Sequence, residues 1–208
     1  MDIDRLKYMV KSIIDEITPS TSVVDYNNLP IDDRIETFAE NCAKQSILLS
    51  PHKCLVGKEI PGDISSYGDG SGYIALPNDF LRLFSFKMEG WKKRVIETVT
   101  EDSEKYLLQK NAVTRGGINS PVCAVVKGED SLLLEWYSVP AYVTSPKCVE
   151  KLYVPTPSVL NSSIGIPEKL DMLLSYLTAK EVLMSFQNYD MAKVTDELIQ
   201  TEINKLSM

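Results

Sequence analysis

Ile74-Ala75-Leu76-Pro77-Asn78-Asp79-Phe80-Leu81-Arg82-Leu83, followed shortly by Gly90-Trp91, decides the fold class. Apolar residues lead into Leu76 and resume at Phe80. Between them, Pro77-Asn78-Asp79 carries turn chemistry, because proline presets φ and Asn and Asp bond their own backbone. The stretch predicts a strand, a proline-initiated turn and a second strand, and it holds no side chain suited to catalysis. Helical patterns flank this β region on both sides, so the expected class is α+β.

Upstream, Ile3, Leu6, Val10, Ile13, Ile14 and Ile17 recur at three- and four-residue spacing, predicting a helix over 2–17 that stops at Thr18-Pro19. A second helix is expected from Pro30 to about Leu49, with Ile31, Ile35, Phe38, Cys42 and Leu49 inward and Asp32 and Asp33 favouring its positive start. An Asn-containing linker between Ser22 and Leu29 would make the two an αα pair. Downstream, Gly165-Ile166-Pro167 opens a long helix over 168–187. It is apolar on much of its circumference and therefore needs neighbours on more than one side. Asp190 is the expected N-cap of a last helix over 191–206.

Between these ends, residues 51–72 read as an extended loop closing with Gly68-Asp69-Gly70-Ser71-Gly72. β-like runs follow at 73–76, 83–88, 92–99, 121–127, 131–138 and 149–154. Two hairpins are expected: 84–88 with 91–99 through Glu89-Gly90, and 122–127 with 132–138 through Gly128-Glu129-Asp130. A short helix over 103–110 separates them. The expected organisation is thus a helical pair (1–50), a loop (51–72), an antiparallel β platform (73–165) and C-terminal helices (166–208) packing with the first pair into a bundle.

The 208 residues carry a formal charge of -7, which argues against a surface built to grip nucleic acid. The charge is uneven: 9 acids and 5 bases over 1–50, 13 of each over 51–166, and 7 acids and 4 bases over 167–208. Cys42, Cys54, Cys123 and Cys148 lie far apart, as buried thiols from a reducing compartment would. The first residues lack the basic and apolar regions of a signal peptide, and no run approaches the roughly 18 apolar residues of a membrane span. A soluble protein is expected.

Chemistry-bearing patterns are few. His52, the one histidine, neighbours Cys54, but zinc wants four ligands and no second pair follows. The glycines of 68–72 lead into a strand, whereas a P-loop leads through Gly-Lys-Ser/Thr into a helix. Ser50-Pro51-His52-Lys53 fits Ser-x-x-Lys, yet its internal proline spoils the helix that would present Ser and Lys together. Glu101, Asp102 and Glu104 could offer paired carboxylates to a hydrolase, although acids at a helix start are usually dipole partners. No catalytic, cofactor or metal residue is expected. Candidate interaction residues are Trp91, Lys92 and Arg94 of the basic cluster, and Leu198, Glu202, Ile203 and Leu206 of the last helix, whose acidic face includes Asp196 and Glu197. The plainer interpretation of Lys92-Lys93-Arg94 is a solvated edge strand whose charges discourage pairing.

The order of parts carries a resemblance. A helical pair precedes Leu76-Pro77-Asn78-Asp79-Phe80-Leu81-Arg82-Leu83; then come Gly90-Trp91 with Arg94-Val95, a hairpin ending Glu135-Trp136-Tyr137, and Ile166-Pro167-Glu168 with Leu173, Tyr176, Ala179 and Glu181 in a long helix. This pattern resembles the head-to-tail adaptor (connector) proteins of short-tailed bacteriophages, the family containing tail tubular protein A of T7-like phages. The resemblance implies a structural virion protein without an active site or cofactor. Such a protein forms a ring, usually of twelve copies, beneath the portal, extends the DNA channel and offers a platform to the next tail component. It implies contacts with itself, with the portal protein and with a tail ring or hub, transient passage of genomic DNA without sequence-specific binding, and a place in the neck of the virion. The portal-facing part would be 167–206, and the platform the 84–99 and 122–138 hairpins. The alternative is another ring, stopper or tail-completion protein lower in the same tail.

Overall fold

In the computed structural model of the chain, residues 1–17, 30–140, 142–160 and 162–208 are described. The expected stop at Thr18-Pro19 and the linker over 22–29 lie outside them. In chain order the elements are α1 (Ile3–Ile17), α2 (Ile31–Leu49), β1 (Lys58–Glu59), β2 (Ser65–Ser66), β3 (Gly72–Ala75), β4 (Phe80–Met88), β5 (Val99–Thr100) and α3 (Glu104–Gln109). They continue with β6 (Cys123–Lys127), β7 (Leu132–Trp136), β8 (Cys148–Pro155), β9 (Val159–Leu160), β10 (Ser163–Ile164), α4 (Asp171–Ser185) and α5 (Tyr189–Ser207). The class is α+β. The chain divides into a helical unit, Met1–Leu55 with Pro157–Met208, and a β unit, Val56–Thr156.

The helical unit buries the α1 stripe as its spacing dictates: Leu6, Val10, Ile13 and Ile14. From α2 come Ile35, Ala39, Cys42, Ala43 and Ile47, and from α4 Leu173, Leu174, Leu177, Ala179, Val182 and Leu183. Ile199 of α5 joins the same apolar cluster. Helix α4 packs against α1, α2 and α5, which explains why its burial runs around most of its circumference. Its buried hydroxyls bond back to its own carbonyls, Ser175 Oγ to Asp171 O at 2.8 Å and Thr178 Oγ1 to Leu174 O at 2.9 Å, so no donor is left unpaired.

Three local expectations need correction. Leu49 is exposed, because the α2 stripe centres on Ala39, Cys42, Ala43 and Ser46 and Leu49 falls on its margin at the last residue. Pro30 caps α2 from outside, its carbonyl accepting from Asp33 and Arg34. The cap of α5 is Asn188, whose side chain accepts from Met191 N at 3.4 Å, while Asp190 sits in the first turn.

The β unit holds two sheets. One has the order β2-β3-β7-β6-β5 and the other β1-β8-β4. All pairings are antiparallel except β5 with β6, which is parallel and departs from the expected all-antiparallel platform. Ile74, Cys123, Leu134 and Trp136 of the five-stranded sheet share one apolar cluster with Leu83, Phe86, Met88 and Tyr153 of the three-stranded sheet. The proline turn therefore does not close a hairpin. It carries the chain from β3, paired to β7, across to β4, paired to β8.

The 122–138 hairpin forms as expected, with Val125 opposite Leu134. The 84–99 hairpin does not. Its turn is present, with Gly90 at φ +86 and Trp91 N bonded to Met88 O at 3.1 Å, but only Phe86 and Val95 pair beyond it. The long partner of β4 is β8, on its other edge, and Lys92 N is drawn to Ile118 O at 2.9 Å.

Residues 51–72 are not a bare loop either. They contain a 3-10 turn (His52–Cys54), β1 and β2, and Tyr67 N bonds Ser71 O at 2.9 Å across the glycine-rich turn into β3. Gly72 is required by close approach. A Cβ there would lie 2.0 Å from Ser65 O and 2.4 Å from the Trp136 ring. Both tryptophans lie in the β unit, so their fluorescence reports its unfolding alone. Gly72→Ala should destabilise that unit by about 2–3 kcal/mol, read from the tryptophan-monitored urea midpoint.

Candidate functional site

The residues expected to meet partners are divided by their burial. Trp91 is only 3% exposed and packs edge-on against Phe86 at 6.0 Å, so it is a core residue. Lys92, Lys93 and Arg94 are exposed, but in a turn segment and not on a strand face; Arg94 Nη1 reaches Glu150 Oε1 at 3.4 Å. On α5, Glu202 is 8% exposed and paired with Lys205 at 3.2 Å, while Ile203 and Leu206 pack against the helical core. Asp196 bonds Lys180 of α4 at 2.6 Å. The acidic face of this helix is thus partly spent on ion pairs. Leu198 is half-buried like Ile203 and Leu206, and it stands beside exposed Val194, Glu197 and Thr201.

The Leu-Pro-x-Asp-Phe stretch owes its form to Asp79. Tyr153 Oη donates to Asp79 Oδ1 at 2.8 Å, Lys58 Nζ approaches Oδ2 at 3.4 Å, and Thr156 N donates to the Asp79 carbonyl at 2.6 Å. Phe80 stacks on Tyr153 with centroids 6.1 Å apart. One carboxylate therefore joins β1, the turn before β4, and β8. Burial opposes ionisation here, yet the bonds from Tyr153 and Lys58 outweigh it and hold the Asp79 carboxyl below its ordinary value.

The densest set of titratable groups lies on the other face of the five-stranded sheet. Alternation along β7 turns Leu134 and Trp136 into the sheet-to-sheet core and Glu135 and Tyr137 towards α3. Three donors converge on Glu135 Oε2: Tyr137 Oη, Tyr106 Oη at 3.3 Å and Lys110 Nζ at 3.5 Å. Tyr106 lies in α3 and Lys110 is its C-cap, four residues on, so one carboxylate fixes the helix to the sheet. Burial, then the hydrogen bond to Glu135 and its charge, pushes the Tyr137 phenol far above its usual range. For Lys110, burial works downward, but Tyr106 and Glu135 more than offset it and the pKa is raised. At neutral pH the phenol is therefore a fixed donor and no nucleophile. Beside it, Asp69 accepts from Ser71 and Arg115, with Arg115 Nη2 at 3.2 Å and its guanidinium over the Tyr137 ring at 5.9 Å. Nothing in the sequence marked this cluster beyond the period-two alternation around Glu135.

The remaining candidates are apart from it. Glu101 accepts from Lys127 N at 3.2 Å and Glu104 stands in the first turn of α3; with Asp102 they are exposed. Among the described residues no group of three His, Cys, Asp or Glu side chains could hold a metal ion. No described helix is long and apolar enough to cross a membrane. Burial pushes the Cys42 thiol up to about 12 and raises Cys123 and Cys148 as well, leaving all three protonated. Against known proteins, the chain matches no family model and no curated sequence.

Two outcomes follow from this geometry. A carboxyl held below its ordinary value adds stability above that value and loses it as pH falls through the lowered one. The β unit should therefore weaken below about pH 4. Asp79→Asn should remove ~1 kcal/mol at pH 7 and flatten that acid limb, measured by urea unfolding across pH. Glu135→Ala strands two tyrosine hydroxyls, and α3 amides should exchange with solvent roughly ten-fold faster while β4 and β8 amides keep their protection.

Proposed function

We propose that this chain is a structural virion protein: the subunit of a head-to-tail adaptor ring that docks beneath the portal, extends the DNA channel and joins capsid to tail. The observation that carries the reading is the insertion itself. A β unit of 101 residues, Val56–Thr156, interrupts a helical unit whose core needs both ends of the chain, in the order of parts of the adaptor proteins this sequence resembles. In this reading the chain acts by shape and makes or breaks no bonds. Copies associate head to tail, each offering two different patches that close by rotation, with twelve copies expected to match the portal.

Burial favours a contact surface other than the buried members of the candidate set. Trp91, Glu202, Ile203 and Leu206 serve their own units, so the α5 contribution to a portal contact falls to Val194, Leu198 and Thr201, which share one face at four- and three-residue spacing. The platform contribution falls to the β6–β7 hairpin, with Lys92 and Arg94 as exposed charges near the Gly90 turn.

Negative-stain imaging of the protein mixed with a twelve-fold portal ring tests this directly. An added ring of density under the portal is expected for the unaltered chain. Val194→Asp with Leu198→Asp should abolish it while helical content and the urea midpoint stay unchanged. Absence of ring density with the unaltered protein removes the reading.

A further inference from the structure

A groove of about 360 Å³ lies between α2 and α4, lined by Phe38, Asn41, Cys42, Lys44 and Gln45 from one helix and Glu181 from the other. Its floor is apolar and uncharged: Cys42 is fully buried, and its thiol is pushed up to about 12 by burial, with the Glu181 charge adding in the same direction. Its one lining cation is already engaged, Lys44 Nζ lying 2.9 Å from Glu40 Oε1. Glu181 is half-buried and has no hydrogen bond or ion pair with any described residue. Elsewhere on α4 the pattern is the opposite: Asp171 meets Arg5 at 3.3 Å and Lys180 meets Asp196 at 2.6 Å. A half-buried carboxylate with no ion pair to a described residue, in a groove that also presents the Phe38 ring and the amides of Asn41 and Gln45, favours a positive charge that arrives with apolar surface attached.

We propose that this groove receives an arginine side chain from a partner protein. The guanidinium would lie on the Glu181 carboxylate, with the side-chain carbonyls of Asn41 and Gln45 as further acceptors and the Phe38 ring beside its planar face. Arginine fits better than lysine, since its weakly hydrated fork loses less on leaving water and matches a carboxylate bidentately. A whole helix, about 10–12 Å across with its side chains, is too large for the space. Charge complementarity extends beyond the groove, for the segments 1–50 and 167–208 together carry 16 acids and 9 bases. The inference does not depend on the virion reading.

The test uses the full-length ¹⁵N-labelled protein titrated with N-acetyl-L-arginine methylamide, and in parallel with its neutral citrulline counterpart. Saturable shifts are expected at the Asn41 and Gln45 side-chain amides and along the 38–45 backbone, with a Kd of roughly 1–10 mM. The citrulline compound should leave them unmoved. Glu181→Gln should weaken binding at least ~5-fold, and Gln45→Glu, which adds a second charge without touching the core, should tighten it by a similar factor. Equal response to both compounds, unsaturable shifts spread over the acidic surface, no shift at all, or insensitivity to both substitutions would each overturn the proposal.

Discussion

The helical unit depends on α4 being buried on several sides at once. Leu173, Leu174, Leu177, Ala179, Val182 and Leu183 face different neighbours, so α1 and α2 have no complete core until the last quarter of the chain is in place. Arg34 shows the same dependence in polar form. It is 6% exposed, its Nη1 bonds Ser185 Oγ at 2.8 Å, and its guanidinium lies 4.4 Å from the Phe186 ring centroid. A cation at the C-terminal end of α4 also meets the negative end of the helix dipole. The partners are 151 positions apart in sequence. Such long-range closure slows folding and raises the advantage of an inserted unit that can form its own core first.

The β unit solves a different problem, that of joining two sheets with short connections. Two carboxylates collect donors in it. Asp79 collects Tyr153 and Lys58 where the chain changes sheets, and Glu135 collects Tyr106, Tyr137 and Lys110 where α3 covers the outer face. As ion pairs both are exposed on the cation side, and Lys58–Asp79 is exposed on both sides, so neither acid owes its effect to the cation. Each accepts from tyrosine hydroxyls that would otherwise be buried without a partner, and loss of the acceptor is what costs most.

Much of this was legible in the sequence, and the gaps have physical causes. The periodicity of α1, α4 and α5 and the turn chemistry at Gly128-Glu129-Asp130 depend on local spacing, and those elements form within a few residues of expectation. Pairing partners do not depend on local spacing. Gly90 predicts its turn correctly, yet beyond it only Val95 stays on that edge of β4, while the long pairing forms on the opposite edge with β8, more than fifty residues downstream. The bond from Lys92 N to Ile118 O turns the 91–94 segment away from β4, so Trp91, Lys92 and Arg94 do not continue a strand. Glu202 misled for a related reason: a carboxylate at that helical position reads as solvated, but its neighbours Ile203 and Leu206 draw it to the core margin, where Lys205 pairs with it. Burial of a charge beside its own partner leaves no trace in a pattern of polar and apolar letters.

Charge in the helical unit follows one logic. Lys7 meets Glu36 at 2.5 Å and Lys11 meets Asp32 at 2.6 Å between α1 and α2, and Lys180 meets Asp196 between α4 and α5. These pairs are at least partly exposed and each adds little stability. Cations are fewer than acids here, so pairing uses up the bases and leaves a negative remainder on the surface. A remainder of that sign repels nucleic acid in general. For a subunit proposed to line the route of a genome, repulsion is the useful property: a wall that bound DNA phosphates would hold the molecule that must pass.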